Sequence, residues 1–161
     1  MALITQRKPN VRESGFGGAA SIAVAANFSY VALNNNSAGP AVLVVHSYDG
    51  SLFSAQSIGV TLVNGLTGTA ASSEVPAVAG EGAPAGLIYT GAIATLPSRL
   101  TRTTVPGNNF FLWPHDYPVA YILPGWSFAV FCVTVNITLN ASFWWEQLPA
   151  ELYYQWIENQ F

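Results

Sequence analysis

Residues 126–146, WSFAVFCVTVNITLNASFWWE, decide the fold class of this chain. The stretch is dominated by β-branched and aromatic residues, which favour strands over helices. We therefore predict two strands, over residues 126–135 and 138–146, separated around Asn136. A membrane-spanning helix needs about 20 consecutive apolar residues, whereas residues 121–139 contain Pro124 and Gly125 together with several polar side chains. We accordingly expect no membrane partner.

The same two-residue periodicity extends outward from this stretch. Residues 22–30 alternate as Ile, Val, Ala, Phe and Tyr at every second position, and residues 41–48, AVLVVHSY, form another strand candidate. Asp49-Gly50 after them is a strong hairpin signal. Further strands are predicted over residues 51–56, 58–63, 86–94, 109–113 and 119–123. Eight or so strands at this spacing predict an all-β fold, an antiparallel β-sandwich of the jelly-roll type.

Composition divides the chain into three parts. Residues 1–18 hold three of the five basic residues and end in Gly-Phe-Gly-Gly, which indicates a flexible N-terminal arm. Residues 19–146 form the predicted β-sandwich domain, with residues 64–85 as a long surface loop rich in Gly, Ala, Ser and Pro. Residues 147–161 form an aromatic C-terminal tail, in which residues 149–161 are the one candidate for a short helix.

The surface carries unusually little charge. Charged residues make up 8% of the 161 residues, where an ordinary soluble domain has about 25%, and 51% are hydrophobic. A low charge density promotes association, so we predict a homo-oligomer rather than a free monomer. The net charge of −3 argues against nucleic-acid binding through a basic field. The N-terminus lacks the apolar core of a Sec secretion signal, so we expect synthesis in the cytosol without export by the Sec route.

Catalytic chemistry is scarce. His46 precedes Asp49 by three residues and His115 adjoins Asp116, so either pair could orient an imidazole as a general base, although such pairs also arise by chance. Cys132, the single cysteine, lies in an apolar run where a free cysteine usually packs as a core residue. Two histidines and one cysteine, without metal-ligand spacing, predict no metal site and no cofactor. We predict no catalytic residues and no enzymatic activity.

Three groups of residues are candidates for binding. Arg7, Lys8 and Arg12 of the arm either dock on an acidic partner surface or are simply solvated. A second group, in a proline-rich segment, either forms a stacking platform for a ligand or packs in the core; its members are Trp113, Tyr117 and Tyr121. The aromatic residues of the tail either pack on the chain's own core or make a subunit contact; they are Tyr153, Tyr154, Trp156 and Phe161.

Two segments carry a resemblance to a known group of proteins. Residues 33–45, LNNNSAGPAVLVV, have a strand, an Asn/Ser/Gly turn and an apolar strand, and residues 123–130 with 136–146 resemble a closing hairpin. Together they resemble small jelly-roll virion proteins of tailed bacteriophages, especially capsid decoration (cement) proteins and related head or tail accessory proteins. The resemblance spans residues 19–146.

The resemblance implies a non-enzymatic virion structural protein that stabilises the shell. Its implied partners are the major capsid protein or other virion proteins and further copies of itself, often as a trimer. An alternative is a jelly-roll module of a tail or fibre that binds host-surface glycan through Trp113 and Tyr117. A hydrolase that uses His115 and Asp116 is a third hypothesis.

Overall fold

A computed structural model describes residues 14–52, 56–71, 75–76, 84–105, 110–114 and 118–158. Within these ranges the chain forms twelve strands and one helix. They are β1 (Ser14–Ser21), β2 (Phe28–Asn34), β3 (Ala41–Leu52), β4 (Gln56–Asn64), β5 (Thr69–Ala71), β6 (Val75–Pro76), β7 (Leu87–Ile93), β8 (Thr101–Val105), β9 (Phe110–Pro114), β10 (Ala120–Ile122), β11 (Trp126–Cys132), β12 (Leu139–Pro149) and α1 (Ala150–Glu158). The predicted all-β class is confirmed.

The strands form two packed antiparallel sheets. The first sheet has the order β10-β3-β12-β1-β6, and β9 pairs with β3 beside β10. The second sheet has the order β5-β7-β2-β11-β4-β8. Because every pairing is antiparallel, the predicted antiparallel β-sandwich is confirmed.

The main core lies between the two sheets. In β12 the alternation is strict, since Leu139, Ala141, Phe143 and Trp145 are buried while the residues between them face outward. Trp145 is fully buried, and its Nε1 donates a hydrogen bond of 2.9 Å to the carbonyl oxygen of Ala85. A buried indole of this kind contributes both a large apolar area and one satisfied polar group.

A second buried cluster covers the outer face of the second sheet. Tyr30, Ala32, Ala129 and Phe131 are buried there, and partly buried apolar residues pack over them, namely Val63, Leu66, Ile93, Leu96 and Leu100. The Tyr30 hydroxyl donates a hydrogen bond to the carbonyl oxygen of Thr67. Strands β2 and β11 are therefore buried on both faces, which explains why their sequences are mostly apolar, with runs at residues 30–33 and 128–132.

The structure contradicts the predicted closing hairpin. Strand β11 belongs to the second sheet and β12 to the first, so the chain crosses between sheets at residues 133–138. Asn136 has a φ of 61° at this crossing, and its N–H donates to the carbonyl oxygen of Asn27 over 3.0 Å. Asn tolerates this left-handed conformation better than most residues. The strand–turn–strand segment at residues 33–45 makes the same kind of crossing, from β2 to β3.

The hairpin predicted at Asp49-Gly50 is also wrong. Both residues lie inside the continuous strand β3, where Asp49 pairs with Ser142 and Gly50 with Ala141. Strand β9 pairs with the opposite edge of the same residues. Hydrogen bonding along both edges keeps this dipeptide extended, which local sequence alone cannot reveal.

The predicted boundary between arm and domain differs from the structure. Residues 15–18, expected to be a linker, lie in β1, which pairs with β12 along its full length. Gly17 allows a close approach between the sheets here, because a Cβ at this position would make a tight contact of 3.0 Å with the Trp145 ring. The strand predicted over residues 22–30 is instead a turn followed by β2, and Ile22 and Val24 are exposed.

The remaining predictions concern the long loop and the tail. Within residues 64–85 the structure places β5 and β6, whereas residues 72–74 and 77–83 lie outside the described part. The short helix predicted in the tail is present as α1, which packs against β12 and β3. Among the described residues, the structure contains no helix with the length and apolar character needed to cross a membrane.

Candidate functional site

The outer face of the first sheet carries an ordered set of exposed side chains. Strands β1, β12 and β3 lie side by side there, so their outward residues form rows across the sheet. One row contains Phe16 and Trp144, which are directly paired across β1 and β12. The next rows along the strands are polar and consist of Gly18, Ser142 and Asp49, followed by Ala20, Asn140 and Ser51.

The rings of Phe16, Trp144 and His46 form what we call the aromatic row. The Phe16 and Trp144 centroids are 6.2 Å apart with 23° between the ring planes, and those of Trp144 and His46 are 4.7 Å apart with 35° between planes. Phe16 is 49% exposed and Trp144 is 40% exposed. Two large aromatic side chains therefore remain accessible on a sheet face, where a monomer gains little from them.

A β-bulge brings His46 into this row. Trp144 pairs with Ser47 and Trp145 with Val45, so His46 has no direct partner in β12. A bulge of this kind redirects a side chain. His46 Nε2 lies 3.4 Å from Glu146 Oε2 but makes no hydrogen bond, so this contact is electrostatic and depends on imidazole protonation. His46 therefore contacts Trp144 and Glu146, whereas Asp49 is engaged by Ser142.

A shallow depression of about 260 Å³ adjoins the aromatic row. We call it the polar depression; it is lined by Gly18, Ala19, Asp49, Gly50, Ser51, Asn140, Ala141 and Ser142. Gly18 leaves its floor open, because a Cβ there would lie 2.6 Å from the Cβ of Ser142. Ser142 Oγ donates to Asp49 Oδ1, and Asn140 Nδ2 donates to Ser51 Oγ over 3.2 Å. These bonds fix the orientation of the carboxylate and the amide.

Of the predicted stacking platform, the structure gives the strand positions of Trp113 and Tyr121. Trp113 lies in β9 opposite Tyr48, and Tyr121 lies in β10 opposite Val44. Four residues along β3 separate the two positions, a distance of about 13 Å. Tyr117 lies outside the described residues.

Tyr121 contributes to a surface that we call the apolar patch. It lines a depression of about 180 Å³ with Leu62, Leu123 and Trp126. The last three side chains are between 39% and 42% exposed. The four residues that line this depression carry no carboxylate or amide side chain, so its chemistry suits apolar protein contact.

Most residues of the arm and the tail cannot be placed as contacts. Arg7, Lys8 and Arg12 lie outside the described residues, as does Phe161. Tyr153 and Trp156 lie within α1, as does Tyr154, which is 58% exposed. The exposed Tyr154 is compatible with a subunit contact of the tail, which stays a prediction.

Of the candidate catalytic groups, the structure describes Cys132, His46 and Asp49. Cys132 is completely buried, and burial raises the pKa of its thiol, with a smaller opposing effect from a backbone hydrogen bond at Thr134. A protonated and inaccessible thiol is a poor nucleophile. His115 and Asp116 lie outside the described residues. Among those that are described, no three His, Cys, Asp or Glu side chains are grouped to hold a metal ion.

Sequence reasoning missed the aromatic row for an identifiable reason. Alternation in β12 could have placed Trp144 outside, because Phe143 and Trp145 are the neighbouring inward residues. Phe16, by contrast, stands among glycines that gave no strand signal, and His46 reaches the row through a bulge. Which side chains meet in the aromatic row is therefore set by the register of β1 and β3 against β12.

No protein-family model matches the sequence, and neither a curated protein nor a solved structure matches the chain. The fold and the two exposed surfaces are therefore the basis for assigning a function.

Proposed function

We propose that this chain is a non-enzymatic structural protein of a bacteriophage virion, a capsid decoration protein with a jelly-roll-like sandwich. It binds the major capsid protein or another virion protein and associates with further copies of itself, as a trimer. The observation that carries the proposal is the presence of an exposed apolar surface, the apolar patch, on a chain with very few charges.

Permanent assembly accounts for the exposed apolar patch. Exposed apolar groups on a soluble protein mark sites that another molecule covers. Obligate interfaces bury about 2,000 Å² or more and are more apolar than transient ones. On a shell with many identical positions, modest individual contacts combine through avidity. A decoration protein therefore benefits from a weakly charged surface that would be a liability for a free monomer.

The apolar patch is the surface we assign to protein contact. Leu62, Leu123 and Trp126 supply apolar area from neighbouring strand ends, and Tyr121 adds an aromatic ring with a polar tip. Tyr and Trp are the residues most enriched at the energetic centres of interfaces. The arm residues Arg7, Lys8 and Arg12 are proposed to dock on an acidic surface of a capsid neighbour, and the aromatic tail to pack against a sibling copy.

The decisive experiment is location in the particle. Virions of the phage that encodes this chain are purified and imaged by electron cryomicroscopy, and their proteins are quantified by mass spectrometry. We expect the chain at many regular positions on the head. Absence from purified virions, together with a monodisperse monomer at high protein concentration, would refute the proposal.

A matched pair of variants tests the role of the apolar patch. Trp126→Ser removes the largest exposed ring of the patch, whereas Val135→Ser changes an exposed apolar residue elsewhere, at 37% exposure. We expect Trp126→Ser to reduce particle binding and self-association in sedimentation experiments, and Val135→Ser to leave both unchanged. Equal behaviour of the two variants would show that the patch is not the contact surface.

A further inference from the structure

We infer that the aromatic row and the polar depression together form a binding site for a neutral saccharide. This site is distinct from the apolar patch and from the predicted platform of Trp113, Tyr117 and Tyr121. The inference goes beyond the proposed virion role and does not depend on it.

The first argument is that this face combines exposed aromatic rings with fixed hydrogen-bonding groups. A pyranose ring has apolar C–H surfaces and a rim of hydroxyl groups, so its complementary site needs exposed aromatic carbon beside fixed hydrogen-bonding groups. Phe16 and Trp144 supply the aromatic carbon, at 49% and 40% exposure. Asp49 and Asn140 supply a carboxylate and an amide in the adjacent depression.

The second argument is spacing. Trp144 and Ser142 are two residues apart on β12, so their rows are separated by about 7 Å. Asp49 lies directly opposite Ser142. One sugar ring can therefore contact the aromatic row on one side and the Asp49 carboxylate on the other. The depression of about 260 Å³ is smaller than the roughly 300–1,000 Å³ of sites for drug-sized ligands, which suits a single sugar unit of a longer chain.

The third argument is that the polar groups are fixed yet retain binding capacity. Asp49 uses Oδ1 to accept from Ser142, and Asn140 uses Nδ2 to donate to Ser51. Within the described part of the chain, Asp49 Oδ2 and Asn140 Oδ1 have no hydrogen-bond partner. Both are acceptors, which fits sugar hydroxyls as donors. Side chains held in place before binding lose less entropy when a ligand arrives.

Charge selects the kind of saccharide. Asp49 lies in the depression and Glu146 borders the aromatic row, through its contact with His46. The described residues that form this face include no Lys or Arg. Sialylated, sulfated or phosphorylated sugars would meet repulsion from the Asp49 and Glu146 carboxylates. The site is expected to take neutral sugars.

The test begins with a printed array of neutral, sialylated and sulfated oligosaccharides, probed with the full-length protein. We expect signals confined to neutral oligosaccharides. The strongest of these is then titrated calorimetrically into the wild-type protein and its variants. Wild-type protein that gives no neutral signal above background, or that prefers the acidic glycans, would overturn the inference.

Trp144→Ala and Trp126→Ala form a matched pair, because the two tryptophans are 40% and 39% exposed on different surfaces. Trp144→Ala is expected to weaken binding by about tenfold or more, which corresponds to loss of one favourable ring contact. Trp126→Ala is expected to stay within about twofold of wild type. If the two variants lose affinity equally, or only Trp126→Ala does, the site is not where we place it.

Asp49→Asn provides a second variant that preserves shape. It removes the charge and one acceptor oxygen, and we expect at least about fivefold weaker saccharide binding. The control is Glu158→Gln, at the exposed end of α1, which should bind as wild type does. Unchanged saccharide binding by Asp49→Asn would show that the polar depression is not part of the binding site. Circular dichroism and thermal melting check that each variant is folded.

Particle binding by the same variants separates this inference from the virion proposal. Trp144→Ala is expected to bind particles normally while losing saccharide affinity. If it loses particle binding and the wild type binds no saccharide, the face is a protein contact and the saccharide inference is wrong. A protein that binds saccharide but is absent from virions would refute only the virion role.

Discussion

Phe16 and Trp144 are direct cross-strand neighbours whose rings stack on the solvent side of the first sheet, 6.2 Å apart. Cross-strand aromatic pairs are one of the elementary stabilising units of an antiparallel sheet. Here the pair also fastens the first described strand, β1, to β12 near the end of the chain. The contact therefore has a structural contribution that can be measured apart from any ligand.

A double-mutant cycle measures that contribution. Phe16→Ala, Trp144→Ala and the double variant are unfolded in urea, and we expect a coupling free energy of about 0.5–1 kcal/mol, typical of aromatic cross-strand pairs. The control cycle combines Phe16→Ala with Trp126→Ala and should give additive effects, because Trp126 lies in the second sheet. Additivity in the first cycle would mean that the stacked rings contribute nothing to stability.

Asn35 is expected to be the most sensitive polar residue described in the fold. It is 1% exposed, and its Nδ2 donates to the carbonyl oxygens of Ala41 and Ile122 over 2.9 and 2.8 Å. Asn35→Ala leaves both buried carbonyls without this donor, so we expect a loss of about 2–4 kcal/mol in the free energy of unfolding. Denaturant titration provides the measurement.

Asn27→Ala is the control for that variant. Its side chain makes a local, exposed hydrogen bond to the carbonyl oxygen of Ala25, so its removal should cost no more than about 0.5 kcal/mol. Similar losses in the two variants would contradict the assigned role of Asn35. The buried position of Asn35 also makes its Asn-x-Ser sequence unsuitable for glycan attachment, which requires an exposed side chain.

Stability is expected to fall at alkaline pH. Burial raises the pKa of the Cys132 thiol above its ordinary 9.0 and the pKa of the Tyr30 and Tyr48 hydroxyls above 10.0. Above those values the unfolded chain releases protons that the folded chain retains. The free energy of unfolding therefore decreases as pH rises, by at most about 1.4 kcal/mol per pH unit for each group. Below about pH 8 these groups contribute little to the pH dependence, because they are then almost fully protonated in both the folded and the unfolded chain.

Thermal melts between pH 8 and pH 11 check this expectation. Cys132→Ala should reduce the slope between pH 9 and pH 10, where the thiol is the first of the three groups to ionise in the unfolded chain. A melting temperature that is constant across the range in the wild-type protein would contradict the prediction.

Native Cys132 is expected to resist alkylation. The side chain is fully buried in β11 and its thiol stays protonated at neutral pH, so iodoacetamide should label it only after the chain unfolds. Mass spectrometry with and without urea gives the readout. Rapid stoichiometric labelling of the folded protein would show that the thiol is accessible.

The predictable parts of the fold are those in which burial leaves a local trace. Residues 41–48 begin with five consecutive apolar side chains, which predict a strand. The structure confirms this strand as the start of β3. The short polar strand β8, with sequence TRTTV, was missed because it pairs with one neighbour, β4, at the end of the second sheet. Strand β1 was missed because glycines in a sequence usually indicate a linker. Here they allow close packing against Trp145 and Ser142 of β12.

The sheet to which each strand belongs could not be predicted from the local sequence either. Nothing in residues 133–138 distinguishes a hairpin from a crossing between sheets, since both need a polar turn. The residues that form the aromatic row also depend on strand pairing that local sequence does not reveal. Trp144 is recognisably outward from the alternation around it, but its neighbours Phe16 and His46 are set by the register of β1 and by a bulge opposite β12.

The covering of the second sheet has a consequence for assembly geometry. In the described structure its outer face is already packed beneath the chain's own apolar side chains around Tyr30 and Phe131, while the first sheet presents Phe16 and Trp144 outward. Each copy thus offers one open sheet face. Two copies that paired through this face would cover each other's exposed side chains, and neither would have an open sheet face left for a third copy. Face-to-face stacking of the described sheets therefore ends at two copies, even though the sequence is rich in strands and poor in charge.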